Sequence, residues 1–331
     1  RESYDDELTA TIYDNPELMK LINEHQIEVN PKDMLGVRVG IINREGTELI
    51  LKFKEHMPEL AKLMPWADRY HQSVSDGEEL KQTMVDVDLV ALTGDYAQCR
   101  GVITTAQNLP NNDKLSIKTG GGRRNAYHRQ VRKSADAERN RKLLEKLVAP
   151  ELHKYFDLEA DHLFVIGHEN GHSLGPDNEY QRALGLHRST IEEEKADTVS
   201  IAFMPEYVKA GVIDAETLKK IYTTWVVYRL FLKAQPLEAH RVGELIHFNF
   251  LHDNGAFYFD ENNKLHINFD RFHEVVFAML KETIEVQLSK SSEKAKAFID
   301  KYTNWGKHSQ YIAEVQKELG VKNYIVIKDY F

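Results

Sequence analysis

Cysteine is nearly absent: Cys99 is the single one among 331 residues. It excludes an intrachain disulfide and a zinc site built on several thiolates, and it leaves the redox compartment open. Long apolar runs are missing too, since none approaches the roughly 18–20 residues that a membrane-spanning helix needs. No signal-peptide pattern opens the chain, and neither repeats, low-complexity tracts nor an obvious flexible linker interrupt it. Positive charge is in short supply. Against 52 Asp and Glu stand 43 Lys and Arg, a formal charge of −9 that disfavours nucleic acid as a partner. The Gly120-Gly121-Gly122-Arg123-Arg124 loop lacks a following Lys-Ser/Thr pair and a helix start, so a phosphate-binding loop is not expected there. The basic cluster of Arg123, Arg124, His128, Arg129, Arg132 and Lys133 reads either as a solvated edge strand or as an attractor for a substrate carboxylate.

What the chain does have is 42% apolar residues, enough for a core. A soluble, globular protein is expected, with the cytoplasm favoured and no membrane partner. The first residue is Arg1 rather than Met, so an export signal ahead of it stays open. Apolar residues at helical spacing predict amphipathic helices over 15–26 and 47–64, with a loop at Pro31 and Gly36 between them. A β-branched, alternating stretch predicts a small β element over 86–106, followed by a short strand at 126–132. From Ala135 onward helices are expected at 136–156, 160–173, 190–210, 214–234 and 237–253, with three more in 270–319. Between these lies a hairpin around Asp260–Asn263, and Tyr324–Ile327 reads as a closing strand. The expected fold class is mainly α with a minor β element (α+β), in a single domain over 1–331. Residues 1–134 would hold the N-terminal helices and small β element, and 135–331 the helical core.

One pentapeptide carries most of the chemistry. His168-Glu169-Asn170-Gly171-His172 places two imidazoles four residues apart, on one face of a helix, with a carboxylate beside them. Leu163, Phe164, Val165 and Ile166 precede it, so the helix is expected to be buried, where unpaired polar groups are costly. A third ligand is expected from the acidic run Glu192-Glu193-Glu194, which read by itself is a solvated charge run. Glu193 lies 21 residues after His172, and Asp197 lies one helical turn further, placed to accept a hydrogen bond from a ligand imidazole. Two His and one Glu leave a fourth zinc position open. One Zn2+ per chain is therefore expected on His168, His172 and Glu193, with Glu169 as general base.

These residues resemble the dipeptidyl-peptidase III zinc exopeptidases, above all the shorter relatives found with Nudix hydrolases. The matching runs are His168 to Pro176 (HENGHSLGP) and Ile191 to Asp197 (IEEEKAD). The resemblance implies that Glu193 rather than Glu192 is the metal ligand and that the fold is the zinc-bearing lobe of that family. It also implies that His240, in Ala239-His240, steadies the transition state, and that Asn108 and Asn111 hold the backbone and amino end of a short peptide substrate. Read without the resemblance, His240 is a helix-surface residue, the two Asn are turn formers, and His247 and His252 are packing or surface residues. The chain departs from the best-known members in its five-residue zinc motif. Glu2 to Leu8 resembles a segment well inside the full-length family protein, so an N-terminal lobe with part of the cleft is expected to be absent. A partner lobe or a second copy would then complete the cleft. The function implied is hydrolysis of short peptides, with a non-peptide amide or ester hydrolase and a non-catalytic metal-stabilised subunit as the competing readings.

Overall fold

Asn43 ends the first strand and starts the first helix. Strand β1 (Gly36–Asn43) runs straight into α1 (Arg44–Glu55), where the Asn43 side chain accepts the Gly46 backbone N–H at 2.9 Å and so caps the helix. The computed structural model describes residues 36–72, 74, 83–94, 106–109, 124–128, 137–232, 234, 236 and 239–320. The helix expected over 15–26, the Gly120–Gly122 loop and the closing strand at Tyr324–Ile327 lie outside these residues.

The helix expected over 47–64 is two helices. α1 stops at His56, and α2 (Met57–Leu63) begins with Pro58 in its first turn. Proline has no N–H to continue the α1 ladder, and its ring crowds the preceding turn. Strands β2 (Thr83–Gly94), β3 (Ala106–Leu109) and β4 (Arg124–His128) complete a four-stranded sheet in the order β1-β2-β4-β3. β2 pairs antiparallel with β1 and parallel with β4, and β3 pairs antiparallel with β4. β1 begins at Gly36, which with Pro31 reads as loop punctuation, yet Val37, Val39, Ile41 and Ile42 supply β-branched residues, and Gly40 sits at an irregularity in the ladder.

Helices dominate the remainder. After α3 (Ala137–Leu147) and a 3-10 stretch at Pro150–Tyr155 come α4 (Leu158–Gly171), the short α5 (Asn178–Arg182), α6 (Arg188–Lys209), α7 (Ala215–Tyr228) and α8 (Ala239–Asp253). The hairpin β5 (Phe257–Phe259) and β6 (Leu265–Ile267) follows, then α9 (Phe269–Leu288), α10 (Ser292–Tyr302) and α11 (Lys307–Leu319). The mainly helical class with a minor sheet is the one the patterning implies. No helix among the described residues is long and apolar enough to cross a membrane.

Two long helices form the frame for the site. α6 packs against α4, α8 and α9, and α4 packs in turn on α7. The sheet reaches α4 as well. Tyr127 of β4 is fully buried, its ring set edge-on to His162 of α4 with centroids 5.9 Å apart. α1 joins as well, its Phe53 ring centroid 4.1 Å from that of Tyr207 on α6. Buried apolar residues from all of these elements make one continuous cluster.

Candidate metal centre

Glycine sets the distance between α4 and α6. Gly167 and Gly171 are one turn apart on α4. A Cβ on Gly171 would stand 2.7 Å from the Ala196 carbonyl oxygen, and one on Gly167 would stand 2.3 Å from Ser200 Oγ. The small residues on both helices therefore let the backbones approach until His168 and His172 of α4 face Glu193 of α6. α4 is fixed at its start by Asp157, whose side chain accepts the Glu159 backbone N–H at 2.9 Å. His172 occupies the C-cap position of α4 with helical dihedrals, so the last turn still aims its ring beside that of His168.

Three donor atoms converge there. His168 Nε2 and His172 Nε2 lie 3.1 Å apart, and Glu193 Oε2 stands 3.4 Å from the first and 3.6 Å from the second. Donors each about 2.0–2.1 Å from a tetrahedral zinc ion stand about 3.3–3.4 Å from one another. The spacing thus suits one small cation.

The proton inventory sharpens the point. His168 Nδ1 lies 2.7 Å from Asp197 Oδ1, and His172 Nδ1 lies 3.0 Å from Glu192 Oε1. An ionised carboxylate only accepts, so in each neutral ring Nδ1 carries the proton and Nε2 presents a bare lone pair. Two such lone pairs and a carboxylate oxygen then repel one another unless a cation sits among them. Glu193 Oε2 is buried and faces three ring nitrogens, His168 Nε2 at 3.4 Å, His172 Nε2 at 3.6 Å and His240 Nδ1 at 3.4 Å. In the metal-free chain a proton takes that part. Burial works to lower the His168 pKa, but the Asp197 and Glu193 carboxylates outweigh it and hold the ring well above its ordinary value. Burial likewise opposes ionisation of Glu193, and the surrounding His172, His168 and His240 rings bring it down to about 2.

Each carboxylate behind an imidazole meets a buried cation. Asp197 Oδ2 lies 3.2 Å from Arg229 Nη2, and the guanidinium is stacked 4.7 Å from the Trp225 ring and 5.6 Å from the Phe164 ring. Glu192 Oε1 lies 2.8 Å from Lys195 Nζ, which also donates to the Gly171 and Leu174 carbonyl oxygens at 2.8 Å each. Lys195 thereby adds a second donor to the Gly171 carbonyl, which also accepts the Leu174 N–H at 3.2 Å, and ties down the chain where α4 ends. Behind Asp197 lies His247 of α8, fully buried and 5.1 Å from the Trp225 ring. Burial and then Arg229 push its pKa down to about 3, so it is neutral. Glu194, the third residue of the acidic run, is wholly buried, and burial raises it to about 8.

Glu169 and His240 border the cluster. Glu169 is buried, its pKa raised by that burial against the pull of His168 and His172. His240, in the first turn of α8, places Nδ1 3.4 Å from Glu193 Oε2 with its side chain about half exposed (47%). The helix-surface reading of His240 thus omitted its approach to the cluster, which depends on how α8 crosses α6. Asn108 belongs to β3, opposite Asn125 of β4, and Asn111 lies outside the described residues. His252 stands apart, against Phe248, Phe257 and Phe259. Arg229 and the Gly167/Gly171 pair went unread in the sequence. The glycines did leave a signal, as two small residues one turn apart flanking His168.

Two solved structures share this architecture. Dipeptidyl-peptidase III from Caldithrix abyssi superimposes with a TM-score of 0.77 at 23% identity, over 88% of this chain and 56% of that one. The fold is dipeptidyl-peptidase III-like. The enzyme of the same name from Corallococcus sp. strain EGB gives a TM-score of 0.74 at 19% identity, over 87% of this chain and 54% of that one. Among curated proteins, Nudix hydrolase 3 of Arabidopsis thaliana is 22% identical over 275 residues, 80% of this chain and 34% of that protein. The chain therefore spans just over half the length of the dipeptidyl-peptidase III structures and about a third of the plant protein. No family model matches the chain.

Proposed function

We propose that the chain is a zinc-dependent peptidase acting on short peptides, an exopeptidase of the dipeptidyl-peptidase III type. One observation carries the reading: two imidazole Nε2 atoms and a buried carboxylate oxygen meet at 3.1–3.6 Å, while the Nδ1 atom of each ring faces a second carboxylate. His168, His172 and Glu193 would hold one zinc ion. Asp197 and Glu192 keep the two rings in the tautomer that binds metal.

A zinc ion bound there supplies Lewis acidity, polarising a scissile carbonyl and lowering the pKa of its water to about 7. Glu169 is the residue to accept that water's proton and return it to the leaving amine. Burial raises its pKa, which strengthens the carboxylate as a base. His240, half exposed at the edge of the cluster, donates to the oxygen that gains charge in the transition state. Asn108 and Asn111 bind the substrate backbone and amino end. The cleft is completed by further chain or by a second copy, a reading supported by the coverage of just over half of each dipeptidyl-peptidase III structure.

The test is a panel of fluorogenic dipeptidyl and aminopeptidase substrates, with and without chelator, run on the chain and on Glu169→Gln. Chelator-sensitive hydrolysis is expected, with Glu169→Gln keeping its zinc and losing about 10²- to 10⁴-fold in rate. Hydrolysis that survives Glu169→Gln removes Glu169 from the mechanism. A hydrolytic rate on amide or ester probes but on no peptide would favour the same scaffold turned to a non-peptide substrate.

A further inference from the structure

We infer that Arg229 and Lys195 are positioning residues of the metal centre, each locking one ligand imidazole through the carboxylate between them. The inference rests on the zinc reading above and deepens it. The two arms have the same construction. One runs from His168 Nδ1 to Asp197 Oδ1 at 2.7 Å and from Asp197 Oδ2 to Arg229 Nη2 at 3.2 Å. The other runs from His172 Nδ1 to Glu192 Oε1 at 3.0 Å and from the same oxygen to Lys195 Nζ at 2.8 Å. In each, an imidazole is backed by a carboxylate and the carboxylate by a buried cation.

Physical cost argues that the cations are there for the carboxylates. Lys195 is wholly buried and Arg229 is 5% exposed. A buried charge is tolerated only when it is paired and hydrogen-bonded. A carboxylate left without its cation would turn toward solvent and release Nδ1–H, or take a proton and hold it only by the weaker bond of a neutral acceptor. The two cations are also anchored differently. Arg229 is immobilised by stacking on Trp225 and Phe164, and Phe164 lies one turn before His168 on α4. Lys195 is held by the Gly171 and Leu174 carbonyl oxygens, so it fixes the end of α4 on either side of His172, which carries the second imidazole. A flexible ring with two rotatable bonds thereby becomes a preorganised donor.

The experiment measures zinc binding by chelator competition on the full chain and on Arg229→Met and Lys195→Met, with the visible spectrum of each cobalt-substituted protein as a second readout. Each variant is expected to bind zinc about 10- to 100-fold more weakly, the effect usual for partners just beyond the ligands, and to give an altered cobalt spectrum. The downfield imidazole N–H proton resonances separate the arms: Arg229→Met should perturb that of His168 and leave that of His172, with the reverse for Lys195→Met. A merely structural cation would lower the melting temperature of the metal-free chain but leave zinc affinity and the cobalt spectrum of the folded protein unchanged, and that outcome overturns the inference. Should a Met variant fail to fold, Arg229→Lys and Lys195→Gln replace it with the same readouts. Arg229→Lys keeps the charge and loses the stack, so it is expected to weaken zinc as well, and wild-type binding by both replacements overturns the inference. Failure of the unsubstituted chain to take up zinc is a different result, and it removes the underlying metal reading along with the inference.

Discussion

Gly171 approaches Ala196 so closely that a Cβ on the glycine would stand 2.7 Å from the Ala196 carbonyl oxygen and 3.0 Å from its Cα. Neither atom is the movable end of a side chain, so the two helices would have to part. Gly171→Ala is expected to destabilise the metal-free chain by about 1–3 kcal/mol through overpacking. Zinc affinity should fall too, because the same crossing carries His172 and Glu193. Gly243→Ala is the contrast. Its Cβ would meet nothing nearer than 3.8 Å, and alanine is favoured over glycine inside a helix by up to about 1 kcal/mol. Urea unfolding of both variants, with chelator competition, checks the pair.

Asp157 is the second target. It caps α4 and its Oδ2 lies 3.0 Å from Lys220 Nζ. Burial opposes its ionisation, but the Lys220 hydrogen bond and the capping bonds leave its pKa below the ordinary carboxylate value. A depressed folded-state pKa contributes stability above the unfolded value near 4 and loses it as pH falls through the folded value. Asp157→Ala should therefore cost about 1 kcal/mol at neutral pH, and less as the solution is acidified below pH 4. Denaturant melts of wild type and variant across that range measure the difference.

Glu194 has the opposite sign. Burial raises it from 4.5 to about 8, so its contribution is complete below pH 4.5 and is lost as pH rises toward about 8. The slope from one such group is at most about 1.4 kcal/mol per pH unit. Glu194→Gln should remove that slope, making the variant progressively more stable than wild type between pH 5 and 8. Equal pH profiles for the two proteins would show that Glu194 is ionised in the fold.

The sequence was most legible where a single helix carries the whole pattern. His168 and His172 sit four apart on α4, and Asp197 sits four after Glu193 on α6, so helical geometry alone sets each pair. The hairpin at Phe257–Phe259 and Leu265–Ile267 was equally legible, because the turn between its strands is local. Relationships between elements were not. Arg229 reaches Asp197 from the C-cap of α7, and His240 reaches Glu193 from the first turn of α8. Nothing in the spacing of the chain fixes those crossings. β1 is not legible locally because Pro31 and Gly36 read as loop punctuation ahead of its β-branched residues. The break at His56 escaped because Pro58 interrupts an otherwise continuous apolar period.

The central claim is that His168, His172 and Glu193 share one metal ion, and titration of zinc into the metal-free chain tests it most directly. His168 holds a proton well above its ordinary pKa in the absence of metal, so zinc must displace it. Binding should release protons and strengthen with rising pH, up to about tenfold per pH unit for each proton released. One zinc per chain is predicted for wild type, with Glu193→Gln losing most of that affinity while staying folded. No uptake by the wild-type chain, or a Glu193→Gln variant that binds as tightly as wild type, would contradict the account.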